Sequence, residues 1–285
     1  MKKIEKKVFP NERALYHQVD TLISLCKFEG IEDGESALKE CRNIKVEDCS
    51  FSLRYPLWHV LDFKVRDSIF TKTCRAPLWY CQNGELLGVT IKGVKAIREC
   101  HSINIINSNI DSEEVGWKSS DIEISNSKIT SFYFLFDSHD IEIDNLDFKG
   151  KYSFQYCHNV VIKNSNLDTK DAFWHTKNVT VENSIIKGEY LGWFSEGLTL
   201  INCKIIGTQP LCYCKNLKLV DCEMVDCDLS FEYSEVEASI LGHVDSIKNP
   251  KSGRITLDSV GKIIKEHSIM ETKASIYIRK KKLSH

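Results

Sequence analysis

An asparagine or a close substitute returns every 19 residues along most of this chain, and that spacing limits the fold more than any other feature. Aligned on the pattern xIxIxNxxI, the series runs Asn107, Asn126, Asn145, Asn164, Asn183 and Asn202, then Asp221. Read backwards, Gly88 keeps the step, Asp67 falls two residues early, and Asp48 stands 19 before Asp67. Apolar pairs such as Ile122/Ile124, Val160/Ile162 and Leu198/Leu200 lie four and two residues before each anchor, with polar residues between. Another apolar side chain returns three residues after it, as at Ile110, Ile129, Ile186 and Ile205. Alternation with a period of two is the pattern of a strand with one buried face, and no 3.6-residue stripe fits inside a unit.

A tandem β unit of this length predicts a parallel solenoid in which each coil pairs with the coils above and below. Left-handed hexapeptide coils would need a strict six-residue period, and leucine-rich repeats their own leucine spacing; neither is present. The expected fold is all-β, a single-stranded right-handed parallel β-helix (β-solenoid) of about 10–11 coils. The whole chain, 1–285, is expected to form one domain: an N-terminal cap over 1–25, coils over 26–248, and a C-terminal cap and tail over 249–285. The stretch SVGKIIKEHSI from Ser259 is expected to close the C-terminal end as a short amphipathic helix.

Equivalent residues stack in a solenoid, so columns carry the information. Twelve residues after the anchor stand small groups, Cys81, Cys100, Ser119, Ser138, Cys157, Thr176, Ser195 and Cys214, expected in the core with the thiols as small hydrophobes. The anchor asparagines are expected to form an internal hydrogen-bonded ladder. Ten residues after the anchor all five tryptophans fall in one column: Trp58, Trp79, Arg98, Trp117, Phe136, Gln155, Trp174 and Trp193. Residues i and i+2 of a strand share a face, so this column reads as buried beside the small one. A strand bulge would turn it into an outward platform instead.

The next column is expected to face outwards with Glu99, Lys118, Asp137, Tyr156 and His175, and four residues before it run Glu114, Tyr133, Tyr152, Asp171 and Tyr190. Tyrosines, carboxylates and histidines on one face suit a polyhydroxylated ligand. Asp171, Asp137, Glu114 and Glu99 are the candidate acids and bases. Lys118 and Arg98 are candidates for holding a ligand carboxylate; Tyr152, Tyr156, His175 and Tyr190 would bind the sugar. The expected partner is an oligosaccharide or sugar-containing small molecule, acted on by lyase, hydrolase or epimerase chemistry. The alternative is a non-catalytic scaffold that binds carbohydrate or protein.

Interspersed charge, 38 basic against 40 acidic residues, gives no footprint for nucleic acid. No apolar run approaches a membrane span, and MKKIEKKVFPNERALY has no signal-peptide core. Twelve cysteines without a signal segment lead to the expectation of a cytoplasmic protein with reduced thiols. No cofactor or metal is expected, since Cys212 and Cys214, like Cys222 and Cys227, lack ligand spacing.

GESALKE (34–40), RYPLWH (54–59), KDAFWHTKNVTVENS from 170, GEYLGWFS from 188, LCYCKNL from 211, FEYS from 231 and SIKNPKSG from 246 resemble, in this order, domain of unknown function 3737. The resemblance covers about residues 10–260 and implies the pectin-lyase-like right-handed β-helix fold, with no established activity to carry over. It puts weight on Asp171, Trp174, Glu189, Tyr190 and Trp193, which lie inside matching motifs. The family pattern has asparagine where His175 stands, which argues against that residue as a shared base.

Overall fold

The structure is a computed structural model that describes residues 1–30 and 34–280. Its backbone packs as two compact units, Met1–Phe148 and Lys149–His285. Among the described residues all regular structure is strand, and no helix is long and apolar enough to cross a membrane.

In the first unit a six-residue strand opens each coil: Arg42–Glu47, Leu61–Arg66, Gln82–Leu87 and His101–Ile106. They pair in parallel through Ile44↔Phe63, Phe63↔Gly84 and Gly84↔Ile103, so the two extra residues before Gly88 shift the numbering and leave the register intact. Inside this ladder Ile44, Val46, Phe63, Val65, Leu86, Ile103 and Ile105 are all buried. Short strands after the anchor add a second wall, where Phe28, Phe51 and Phe70 stack at 4.6 and 4.8 Å between centroids. Burying a large apolar side chain contributes roughly 1.5–3 kcal/mol, so these repeated rows supply the main stabilisation of a fold without helices. The second unit repeats the arrangement: His158–Lys163, Lys177–Glu182 and Glu196–Ile201 pair through Val160↔Val179 and Val179↔Leu198.

The chain is thus a right-handed parallel β-helix. It is coiled further towards both ends than the sequence pattern indicated. Lys2–Glu5 pairs with Val19–Ser24 through Ile4↔Ile23, and Val19–Ser24 with Arg42–Glu47 through Ile23↔Val46. Past residue 249, Ser252–Leu257 pairs with Glu235–Leu241, and Ser275–Ile278 pairs with Ser252–Leu257. Strands of the ladder therefore occupy both segments expected as caps. The helix expected from Ser259 is replaced by a strand, Ser259–Ile264, parallel to His243–Lys248. Val260, Ile263 and Ile264 favour a strand, and at Gly261 the backbone passes close to the Asp245 carbonyl.

The anchor asparagines lie on the outside, which corrects the internal ladder. Asn107 and Asn126 have φ of 49° and 48°, and Asn164, Asn183 and Asn202 lie at 50–51°. The anchor marks a left-handed corner, where asparagine, aspartate and glycine cost least. Their amides still pair in places, Asn145 Nδ2 donating to Asn126 Oδ1 and Asn202 Nδ2 to Asn183 Oδ1, both at 2.8 Å, but at an exposed surface. The internal polar ladder is the residue after the anchor. Ser68 Oγ accepts from the Cys49 backbone N–H at 3.0 Å and donates to the Arg66 carbonyl at 2.8 Å; Ser184 does the same with Ser165 and Glu182. Where serine stands at this position, the corner N–H of the preceding coil is satisfied in this way.

The small column is buried as expected, from Cys81 and Cys100 to Ser195 and Cys214. All twelve cysteines are buried, and none is recorded in a disulfide.

Candidate functional site

The tryptophans are half-buried on the outer surface, so the core assignment does not hold. The cause is the following residue, which adopts a left-handed conformation in coil after coil: φ is 55° at His59 and Tyr80, 50° at Glu99, 61° at Tyr156, 56° at His175 and 60° at Phe194. One left-handed residue between two positions cancels the alternation of faces, so the small column points in while the tryptophan column points out.

In the second unit three polar edges of this column have a structural task. Gln155 Nε2 donates to the Asp171 carbonyl at 2.8 Å, Trp174 Nε1 to the Tyr190 carbonyl at 2.6 Å, and Trp193 Nε1 to the Gln209 carbonyl at 2.8 Å. At these three positions a long side chain with an N–H donor makes the same bond, which is why glutamine can stand beside tryptophans. The rings also stack along the coil axis: Trp174 on Trp193 at 5.5 Å, and Tyr156, His175, Phe194 and Tyr213 in sequence at 4.8–5.0 Å. Stacking occupies ring faces and leaves edges to solvent, so these rows offer little open face to a sugar.

In the first unit the candidate residues gather around Arg98. Its guanidinium lies 5.8 and 5.5 Å from the ring centroids of Trp79 and Trp117, with Nη1 3.0 Å from Glu114 and Nε 3.5 Å from Glu99. Lys95 adds a second cation to Glu114 at 3.6 Å, and the Trp79 indole N–H donates to Glu99 at 3.4 Å. Two carboxylates are thus brought together, but cations already engage both, and Arg98 is itself occupied. Asp137 pairs with Lys118 at 3.9 Å, both more than half exposed, a contact that contributes little.

The second unit holds a different arrangement. Tyr152, Asp171 and Tyr190 occupy successive coils at left-handed corners with φ of 46°, 52° and 55°. The Asp171 N–H donates to the Glu189 carbonyl at 3.0 Å, and the Tyr152 N–H to the Lys170 carbonyl at 2.8 Å. Asp171 is only 9% exposed, and no hydrogen bond reaches its carboxylate among the described residues. Burial raises its pKa above the ordinary aspartate value; Lys170 opposes this, Glu189 adds to it, and Lys151 opposes it again. Outside it Lys170 binds Glu189 at 2.8 Å and sits 5.6 Å from the Tyr190 ring, whose edge meets Trp193. A largely buried carboxyl whose pKa is raised, set between tyrosines on successive coils, is suited to proton transfer. Tyr156 and His175 stack on each other at 5.0 Å in the outward row.

A cavity of about 470 Å³ in the first unit is lined by His17, Glu40, Arg42, His59, Val60, Leu61, Tyr80 and Gln82; the sequence places His59 and Tyr80 in the outward column of Glu99, and none of the eight was a candidate site residue. Half of this set belongs to the same left-handed column as Glu99. The 23-residue step from Ile23 to Val46 hid that relation for His17.

Stacked parallel strands with a polar and aromatic outer face define a β-helix repeat protein. The chain belongs to the family described as protein of unknown function (DUF3737), whose model matches residues 2–278. No curated protein matches its sequence. Similar solved structures include PfbA, a surface adhesin of Streptococcus pneumoniae, at 8% identity over 92% of this chain and 82% of that one, with a TM-score of 0.49. The periplasmic alginate epimerase AlgG is similar at 11% identity over 91% and 78%, with a TM-score of 0.30. The A-module of the Azotobacter vinelandii mannuronan C-5 epimerase AlgE4 is similar at 10% identity over 95% and 88%, with a TM-score of 0.25. Likeness at this level concerns the fold alone.

Proposed function

We propose that the outward face of the second unit, centred on Asp171, binds a carbohydrate and that Asp171 is its proton-transfer group. The observation that carries this reading is Asp171 itself: the residue is nine-tenths buried, its carboxylate has no hydrogen bond among the described residues, and burial raises its pKa. A carboxylate with a raised pKa and no hydrogen bond from the protein is placed to exchange a proton with a ligand. Tyr152 and Tyr190, one coil to either side, would supply hydroxyl contacts to a polyhydroxylated ligand, and Lys170 with Glu189 a polar rim. Trp174 and Trp193 hold the corner carbonyls in place and act as positioning residues. Lyase, hydrolase and epimerase chemistry each need such a proton donor or acceptor. Twelve buried cysteines outside disulfides support a cytoplasmic setting, in which the ligand would be an imported oligosaccharide or a sugar-containing small molecule.

A non-catalytic binding face is the second reading, favoured by the cations that engage Glu99, Glu114 and Asp137. A thermal-shift screen against mono- and oligosaccharides, uronic acids included, tests the proposal, with wild type beside Asp171→Asn and Tyr190→Ala. A sugar that raises the wild-type Tm and not that of the variants supports the site. If no sugar shifts the wild type, the carbohydrate reading is wrong.

A further inference from the structure

The 470 Å³ cavity of the first unit lies far along the sequence from Asp171 and has its own chemistry. Two rows line it. His17, Glu40 and His59 stand on successive coils at left-handed corners, their N–H groups donating to the carbonyls of Lys39, Trp58 and Trp79, and Tyr80 follows on the next coil. Opposite them Arg42, Leu61 and Gln82 are register partners at the starts of three paired strands. Val60 is buried between the rows.

Donors outnumber acceptors here. Among the described residues Arg42 has no hydrogen bond, ion pair or ring contact for its guanidinium, although Arg54 on the same coil and Arg98 two coils on have carboxylate partners. Glu40, the carboxylate in the groove, is held by the Tyr16 hydroxyl at 2.7 Å, which keeps its pKa below the ordinary value and its charge in place. Gln82, His17, His59 and Tyr80 each bring a further N–H or O–H. The His59 ring is fixed by stacking on Tyr80 at 4.9 Å. An unpaired, planar five-donor cation in a cleft of small-molecule size is suited to an oxyanion.

We propose that this groove is a binding site for a small hydroxylated oxyanion, a sugar carrying a carboxylate or a phosphate, with Arg42 gripping the anionic group. Gln82 and His59 contact the hydroxyls, and Glu40 accepts one of them. The site does not depend on Asp171, so either assignment can fail while the other stands.

Titration calorimetry with D-glucuronate, D-glucose 6-phosphate and D-glucose tests it on the full chain. At least one of the charged sugars should bind, D-glucose at least tenfold more weakly, and Arg42→Gln should weaken the charged ligand at least tenfold. Which charged sugar binds separates carboxylate from phosphate. Arg42 is exposed, so the variant is expected to fold, and Gln82→Leu gives an independent reading with a smaller loss. The proposal is overturned if neither charged sugar binds, if D-glucose binds equally well, or if Arg42→Gln keeps wild-type affinity. Binding lost in Asp171→Asn but kept in Arg42→Gln would put the ligand on the second unit and also overturn it.

Discussion

The indole N–H of Trp174 donates to the backbone carbonyl of Tyr190, 16 residues on, at 2.6 Å. This bond ties an outward ring to the corner of the next coil, and Gln155 and Trp193 repeat it on either side. Trp174→Phe keeps an aromatic ring, smaller than the indole, and removes the donor. It is expected to cost about 1 kcal/mol, the usual net value of one such bond, read as a lower urea midpoint at unchanged slope. Trp174→Gln, which can restore the donor as Gln155 does, should recover part of that loss.

The carboxyl of Asp171 links stability to pH. Its folded-state pKa is raised, so the fold favours the protonated form; its contribution is present below the unfolded value of about 4 and is lost as pH rises through the folded value. At pH 7 the charged carboxylate therefore destabilises the fold. Asp171→Asn should raise Tm at pH 7, by about 2–4 °C for each kcal/mol gained, and the gain should disappear below about pH 4. Melting curves of both proteins from pH 3.5 to 8 check the sign.

At Asn107, with φ of 49° and an exposed side chain, the left-handed corner is the main demand on the residue. Asn107→Ala should cost about 1–2 kcal/mol, the penalty of that conformation for a residue with a Cβ and no local polar group. Asn107→Gly should be close to neutral. Equal losses in the two variants, measured by urea unfolding, would mean that the amide matters more than the backbone.

Thiol chemistry should be silent in the native state. Burial raises the thiol pKa of Cys49, Cys212 and Cys227 to about 12 and of Cys41 and Cys214 to about 11. At pH 8 an aromatic disulfide reagent should react with these cysteines only as fast as the protein unfolds. All twelve should react promptly in guanidinium chloride. Rapid labelling of several thiols in buffer would contradict the packing described.

The sequence disclosed the coil because every coil needs the same corner, and few residues fit one. Asn164 and Asn183 revealed the period through their spacing, while their location outside the core followed from a φ that spacing does not encode. The tryptophan column was misplaced for a related reason: strict alternation holds only while the backbone stays extended, and His175 and its equivalents do not. At the N-terminus Lys6 and Leu25 take the same corner at φ of 53° and 54°, and neither residue type signals it. Those two coils, and with them the place of His17 in the Arg42 groove, were therefore hidden. Asp171 was visible as a residue in a tyrosine-flanked column. Its isolation from hydrogen bonds was not, because that depends on where Lys170 and Glu189 turn.

The most direct test of the account is a carbon-13 NMR titration of the Asp171 carboxyl, assigned by comparison with Asp171→Asn. The account predicts a midpoint above the ordinary value of about 4, displaced again when a sugar that stabilises the wild type is added. A midpoint at or below the ordinary value, indifferent to any sugar, would show a solvated structural aspartate and contradict the assignment of this face.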